Sequence, residues 1–386
     1  MSYLITSMTI SNMLRALSGS LLVTGLLGCS MWGGGLDKPM PNELGVNVPI
    51  LGVRQAWLVP LGSQGSPHLA PHINSTVVTV ASVDGSIVAV NARTGSEVWR
   101  LNLGEPLAAG VGADGRWTAV ITQGNELVAL KEGREEWRQR IAAQVYTSPF
   151  VAGGRIFVLA ADRSIMAFDA AEGHRLWSQP GLGDPLVLRQ SGVLMAVGDN
   201  LIIGLSGRLA ALNPDSGAKR WEVPLASPRG TNDVERLVEL VGPASRVGES
   251  VCARAFDAAV GCVDTARPSV KWTQISRGIV GLGGDDMTVY GTQTNGFVTA
   301  WSRKDGSRTW SSEYLQHRQL TAPLLLGRSV VIGDESGWVH FLSREDGAPL
   351  NRVATDESGI AVEPVAVADT LVVVTRKGNI YGFRPD

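Results

Sequence analysis

The chain has 386 residues, 44% of them apolar, enough for a sizeable core in two ordinary domains or in one large all-β or α/β unit. Lys and Arg number 34 against 36 Asp and Glu, with no dense basic run, so charge steers the chain neither to nucleic acid nor to an anionic bilayer. Glycine is frequent at 46 residues and charged residues make up only 18%, a mixture that suits many tight turns between strands buried on both faces.

The segment LRALSGSLLVTGLLGC, from Leu14 to Cys29, carries one positive charge at Arg15 and then an apolar run too short for a comfortable membrane span. It reads as an export signal, and because the residues before Met13 fit a signal poorly, Met13 is a candidate start beside Met1 and Met8. Its end, Leu26-Leu27-Gly28-Cys29, resembles the bacterial lipobox. That resemblance implies that residues 1–28 are removed and that Cys29 is diacylated as the mature N-terminus. By the same resemblance Ser30, standing where Asp would favour the inner membrane, points to the periplasmic face of the outer membrane. Two acyl chains hold a protein on a bilayer without spanning it. Residues 29–50, with glycines, prolines and no periodicity, read as a lipidated flexible tether.

From there one phrase recurs. "GSIVAVNARTGSEVW" at 85–99 returns as "RSIMAFDAAEGHRLW" at 163–177 and "GRLAALNPDSGAKRW" at 207–221. Clear copies end on Trp99, Trp137, Trp177, Trp221, Trp272 and Trp310, with Leu350 taking the place in a seventh. Spacings near forty residues mean a propeller or a solenoid. A Gly-bearing turn (Asp84-Gly85, Asn295-Gly296, Ser336-Gly337) opens one strand, a second glycine (Gly95, Gly133, Gly173, Gly217, Gly306, Gly347) closes it, and a short strand carries the Trp. Upstream, Pro-led segments such as Pro149-Phe150-Val151 and Pro323-Leu324-Leu325 supply inner strands, giving four antiparallel strands per unit. No segment sustains a 3.6-residue apolar period, so helices are scarce. Small residues at Ala89, Ala129, Ala167, Ala211, Cys262, Ala300 and Gly382, with Phe341 the exception, form a column that lets sheets approach closely.

The last unit, ending at Gly382-Phe383-Arg384, lacks a Trp strand, while Gln55-Ala56-Trp57-Leu58 is a Trp strand with no repeat before it. Joined, they complete one blade and remove the free sheet edges. The expected fold is therefore all-β, an eight-bladed β-propeller of four-stranded blades over residues 51–386.

Other signals fail. Gly110-Val111-Gly112-Ala113-Asp114-Gly115 spells GxGxxG but precedes a strand where a dinucleotide site needs a helix N-terminus, so it reads as a turn. His68 and His72 are separated by Pro71, which breaks the helix that their spacing would need as a metal pair. No metal site or catalytic constellation is expected.

The phrase Asp-Gly-x-apolar-x-Ala-apolar-Asn/Asp-x-x-Thr-Gly-x-x-x-Trp resembles the repeat of the pyrroloquinoline-quinone (PQQ) dehydrogenases. It equally resembles that of the BamB family, propeller lipoproteins of the outer-membrane β-barrel assembly (BAM) machinery. The dehydrogenases place an adjacent Cys-Cys pair beside the quinone and bind Ca²⁺. Here the cysteines are Cys29, Cys252 and Cys262, none adjacent. Length, repeat number, lipobox and tether suit BamB, which implies a scaffold without cofactor that docks on the polypeptide-transport-associated (POTRA) domains of BamA and aids folding of outer-membrane barrels, with unfolded precursors as further partners. Leu186-Val187-Leu188-Arg189 resembles that family's BamA-contacting loop and Glu235-Arg236-Leu237-Val238-Glu239 its second, acidic loop, so Leu186, Leu188, Arg189 and Glu239 are the implied partner-binding residues. Leu186 and Leu188 also follow Pro185 as inner-strand residues follow Pro149 and Pro323, so core positions are the competing assignment for them. A PQQ-binding propeller and a generic periplasmic peptide-binding propeller are the alternative functions.

Cys252 and Cys262 fall in one unit on either side of a turn near Asp257-Ala258, in a chain exported to an oxidising compartment. If the turn centres on Asp257 they face each other. If it centres between Asp257 and Ala258, as the repeat alignment prefers, they stand one residue out of register and a bridge needs a bulge. A disulfide staple is the expectation, and Cys262 packing simply as a small residue is the alternative.

Overall fold

A computed structural model describes residues 39–62, 65–66, 69–181, 188–227 and 238–386, and every regular element among them is a β-strand. The strands form eight antiparallel sheets of four. In chain order the blades span 72–102, 107–140, 150–179, 194–224, 240–275, 283–312 and 324–354. The eighth joins residues 365–385 to Val53–Pro60, whose Trp57 pairs with Gly382, so the two chain ends share one sheet as their incomplete halves require. In each blade the first strand lies innermost, against the first strands of its neighbours, and the fourth lies at the rim. The middle strands carry the core. Ile87, Val88, Ala89 and Val90 are all fully buried, which only sheets stacked face to face allow.

The recurring phrase encodes a latch between blades. Its Asn or Asp caps the turn before the rim strand, as Asp169 does by accepting the amides of Ala171 and Glu172 at 2.8 Å each. The glycine then enters the left-handed region, which leaves its surface bare for the Trp of the preceding blade. Trp272 lies on Gly306 in this way, and its indole N–H donates to the Arg303 carbonyl at 2.9 Å. Trp57, Trp137, Trp177 and Trp310 repeat the bond to Ala92, Ala170, Pro214 and Arg344. The small-residue column has its cause here. Ala89, Ala129, Ala167, Ala211, Cys262, Ala300 and Gly382 are the cross-strand partners of the seven Trp residues, each beside a bulge, so the column makes room for an indole within its own sheet.

Three details differ from the sequence reading. In blade 7 the partner of Phe341 is Asn351, so Asn351, and not Leu350, stands in the Trp place, and large and small have exchanged strands. Cys252 and Cys262 stand directly opposite, because the turn centres on Asp257, which takes φ +46°, and no bulge separates them; their sulfurs are joined in a disulfide. The GxGxxG segment begins inside the inner strand of blade 2, Leu107–Ala113, and only its end is a turn. His72 opens the inner strand of blade 1, and His68 lies outside the described residues.

The exchange at Asn351 has a use. Blade 8 has no turn after its third strand, because the chain ends occupy that place. Residues 42–50, assigned above to the tether, run with Leu51 along blade 7 toward this seam. Asn351 Nδ2 donates to the Leu51 carbonyl at 2.7 Å, Asn47 Nδ2 donates to Asn351 Oδ1 at 3.0 Å, and Arg352 reaches the carbonyls of Leu44 and Gly45 at 2.8 and 2.6 Å. The Ile50 amide donates to Leu350 at 2.9 Å. An indole at 351 would leave this strap without its acceptor and donor.

Two stability measurements check these contacts. Gly306 and Gly104 share φ near +75° and +74°, but a Cβ at Gly306 would lie 2.5 Å from the Trp272 ring, whereas one at Gly104 meets nothing within 4 Å. Each Ala substitution should cost about 1–2 kcal/mol for the left-handed backbone, and Gly306→Ala a further 1–3 kcal/mol or so for overpacking. Equal losses in urea unfolding would show that the latch contact is slack. For the strap, Asn351→Ala should cost roughly 1–3 kcal/mol and speed hydrogen exchange at the Ile50 amide. Unchanged protection there would mean that Asn351 does not hold the strap.

Candidate functional site

Hairpins between second and third strands, and the crossings from one blade to the next, share one face of the ring. At blades 3–5 the crossing 141–149 meets there with residues 188–193 and 238–239, the described ends of the next two crossings. Leu188 precedes the inner strand of blade 4, Leu194–Val197, and is half-buried at the wall of a small cleft, outside any strand. Arg189 beside it is exposed and lays its guanidinium over the Tyr146 ring, 5.6 Å from the centroid. The next residues are pinned on both sides. The Gly192 amide donates to Thr147 Oγ1 at 2.9 Å, and the Gly242 amide donates to the Ser191 carbonyl at 2.9 Å. Arg189 is thus presented from a base tied to blades 3 and 5 together. Leu186 and Cys29 lie outside the described residues, as do Glu235, Arg236 and Leu237.

Glu239 enters the same cleft from the crossing into blade 5. Its Oε1 accepts Arg163 Nη2 at 2.5 Å, with side-chain exposures of 6% for Arg163 and 14% for Glu239. Oε2 accepts the Ser206 amide at 3.4 Å. The cleft holds about 50 Å³, and Tyr146, Arg163, Leu188, Gln190, Leu205 and Glu239 line it. Shielded from water, neither charge is well solvated without the other, so the pair fixes Glu239 against Arg163 and shapes the cleft. Leu188 and Glu239 therefore meet, with Arg189 on the rim.

Tyr146 and Arg163 escaped the sequence reading. Arg163 left a signal, because it stands at φ +63° where the equivalent turns of other blades use Gly85, Gly296, Gly337 and Gly378 at +80° to +98°. A side chain held there costs about 1–2 kcal/mol, and such a cost marks a position kept for another reason. The phrase Asp162-Arg163 in place of Asp-Gly shows it. Tyr146 left no comparable mark, since only the folded crossing brings it under Arg189.

The arrangement is that of a recognition surface: a planar cation on an aromatic platform beside an apolar notch with a fixed carboxylate. Among the described residues no group of three or more His, Cys, Asp or Glu side chains is placed to hold a metal ion.

Comparison with known proteins follows the same line. Residues 83–312 match the family described as outer membrane protein assembly factor BamB. The Burkholderia pseudomallei protein of that description is 36% identical over 351 residues, which cover 90% of this chain and 92% of that protein. The crystal structure of BamB from Moraxella catarrhalis superposes with a TM-score of 0.78 at 21% identity, over 86% of this chain and 99% of the other. A quinohemoprotein alcohol dehydrogenase from Pseudomonas putida reaches 0.68 at 12% identity, over 88% of this chain and 77% of its own; these two structural likenesses are of fold. The repeated latch, the closed eighth blade and the match over most of its length together place the chain in the BamB family of outer membrane protein assembly factors.

Proposed function

We propose that the chain is a non-catalytic scaffold of the barrel-assembly machinery. It is lipid-anchored through Cys29 on the periplasmic face of the outer membrane and docks on the POTRA domains of a BamA protein through the face of blades 3–5. The observation that carries this reading is Arg189, exposed on the Tyr146 ring at the rim of the cleft that Leu188 and Glu239 share. A rigidly based arginine beside apolar side chains is the usual anchor of a protein interface, since its planar fork loses little freedom on binding. The membership reported above supports an assembly role, and docking is the function that this surface can perform. The ring itself serves as a spacer, holding the docking face on a rigid body while the tether keeps that body at the membrane.

Recovery of a BamA protein with the chain from native membranes tests the partner, and its absence from the recovered material would overturn the reading. Arg189→Glu should weaken that association by about 2 kcal/mol or more, roughly thirtyfold in Kd, and leave the melting temperature unchanged because the residue is exposed. A large drop in melting temperature would make Arg189 a structural residue. For Glu239, a double-mutant cycle of Arg163→Met with Glu239→Gln, read by unfolding, should give a coupling of at least about 1 kcal/mol. A coupling near zero, with partner binding lost in the Glu239 variant, would make Glu239 a direct contact instead.

A further inference from the structure

The inner strands ring a cavity of about 1030 Å³, lined by crossings and hairpins of the same face, from Arg189 and Gln190 beside the docking cleft round to blades 6–8. That volume stands at the upper end of what ligand sites use, large enough for a short peptide. Its wall is mixed. Ile279, Val280, Leu320 and Val362 are apolar, while Thr294, Thr321 and Ser358 offer hydroxyl groups. The first strand of every blade is the edge of its sheet, and those of blades 6 and 7 are only Gly283–Gly284 and Leu324–Leu326. An inner edge presents main-chain groups that the sheet does not pair.

The charges are lopsided. Arg189, Arg318, Arg376 and Lys377 line the cavity, and Glu363 is the one carboxylate among the lining residues. Arg318 is committed to Asp334 at 3.0 Å. Arg376 and Lys377, both exposed in the hairpin of blade 8, form no ion pair with a carboxylate of the described residues. Such a mouth attracts negative charge, and its walls accept apolar side chains and an extended backbone.

We propose that this cavity binds an extended, carboxylate-bearing polypeptide segment, with its acidic groups at Arg376 and Lys377 and its apolar side chains against Ile279, Val280, Leu320 and Val362. The cavity shares Arg189 and Gln190 with the docking surface, but Arg376, Lys377 and Glu363 line the cavity alone, so variants at these three separate loss of peptide binding from loss of docking. Glu363 is a gate on affinity: ionised, it repels the ligand across the cavity. Burial pushes its carboxyl up to about 7, so it is ionised at pH 8 and largely protonated at pH 6.

The test uses the mature chain and dye-labelled decapeptides with blocked ends, in which Val alternates with Glu, Ser or Lys, read by fluorescence anisotropy at fixed salt. The Glu peptide should bind at least tenfold more tightly than the Ser peptide, and the Lys peptide least. Arg376→Glu with Lys377→Glu should remove that preference while leaving the melting temperature unchanged. Glu363→Gln should strengthen binding severalfold at pH 8 and make no difference at pH 6. Equal binding of the three peptides, or undiminished binding by the double variant, would overturn the proposal. So would full displacement of the Glu peptide by millimolar tripolyphosphate, which would mark a simple anion site.

Discussion

The architecture depends on one contact, an indole laid on a bare glycine of the next blade and hydrogen-bonded to that blade's turn. The Trp needs space on two sides. A small residue opposite it in its own sheet gives one, and a left-handed glycine gives the other. These two demands, with the Asn or Asp that caps the turn, account for nearly every fixed position in the repeated phrase. The contact also explains why a propeller of short sheets holds together. No sheet has a large face of its own, but at five of the eight seams the rim strand is tied to its neighbour by an aromatic surface and a directed N–H bond, both worth more when shielded from water.

Three seams lack the full latch: between blades 1 and 2 Trp99 lies on Gly133 without the indole hydrogen bond among the described residues, and the other two carry other business. Between blades 4 and 5 the glycine's place is taken by Pro268, so Trp221 has no left-handed glycine to lie on. Blade 5 is braced otherwise, by the Cys252–Cys262 bridge inside it and by Arg246, which donates to the Ala196 carbonyl of blade 4 at 2.7 Å. Between blades 7 and 8 the chain ends replace the turn, and Asn351 holds the strap in place of an indole. A ring that closes through its termini gives up one latch at that point, and the strap restores the tie with hydrogen bonds.

The fold was legible because its repeat is local. A turn, a small residue and a Trp at fixed offsets can be read without knowing what they touch, and the split last blade follows from counting. Where the reading slipped, a single-residue count decided the matter. Asn351 lies four residues after Gly347, as each Trp does after its own glycine, but the apolar Leu350 beside it attracted the assignment. The cysteine register turned on whether Asp257 could take the left-handed conformation, which the alignment of unlike turns obscured. The site was less legible because it is assembled from three crossings that share no phrase. Resemblance pointed to Leu188, Arg189 and Glu239. Nothing in the linear chain connects them to Tyr146, and Arg163 announced itself only by standing where a glycine belongs.

The central functional claim is that the face of blades 3–5 meets the partner. A photoreactive side chain introduced at Gln190 in the cleft, compared with one at Lys304 in a turn on the opposite face, tests it in native membranes. Irradiation should join the Gln190 derivative to a BamA protein and leave the Lys304 derivative without that adduct. Adducts at Lys304 with none at Gln190 would contradict the account and move the interface to the other face of the ring.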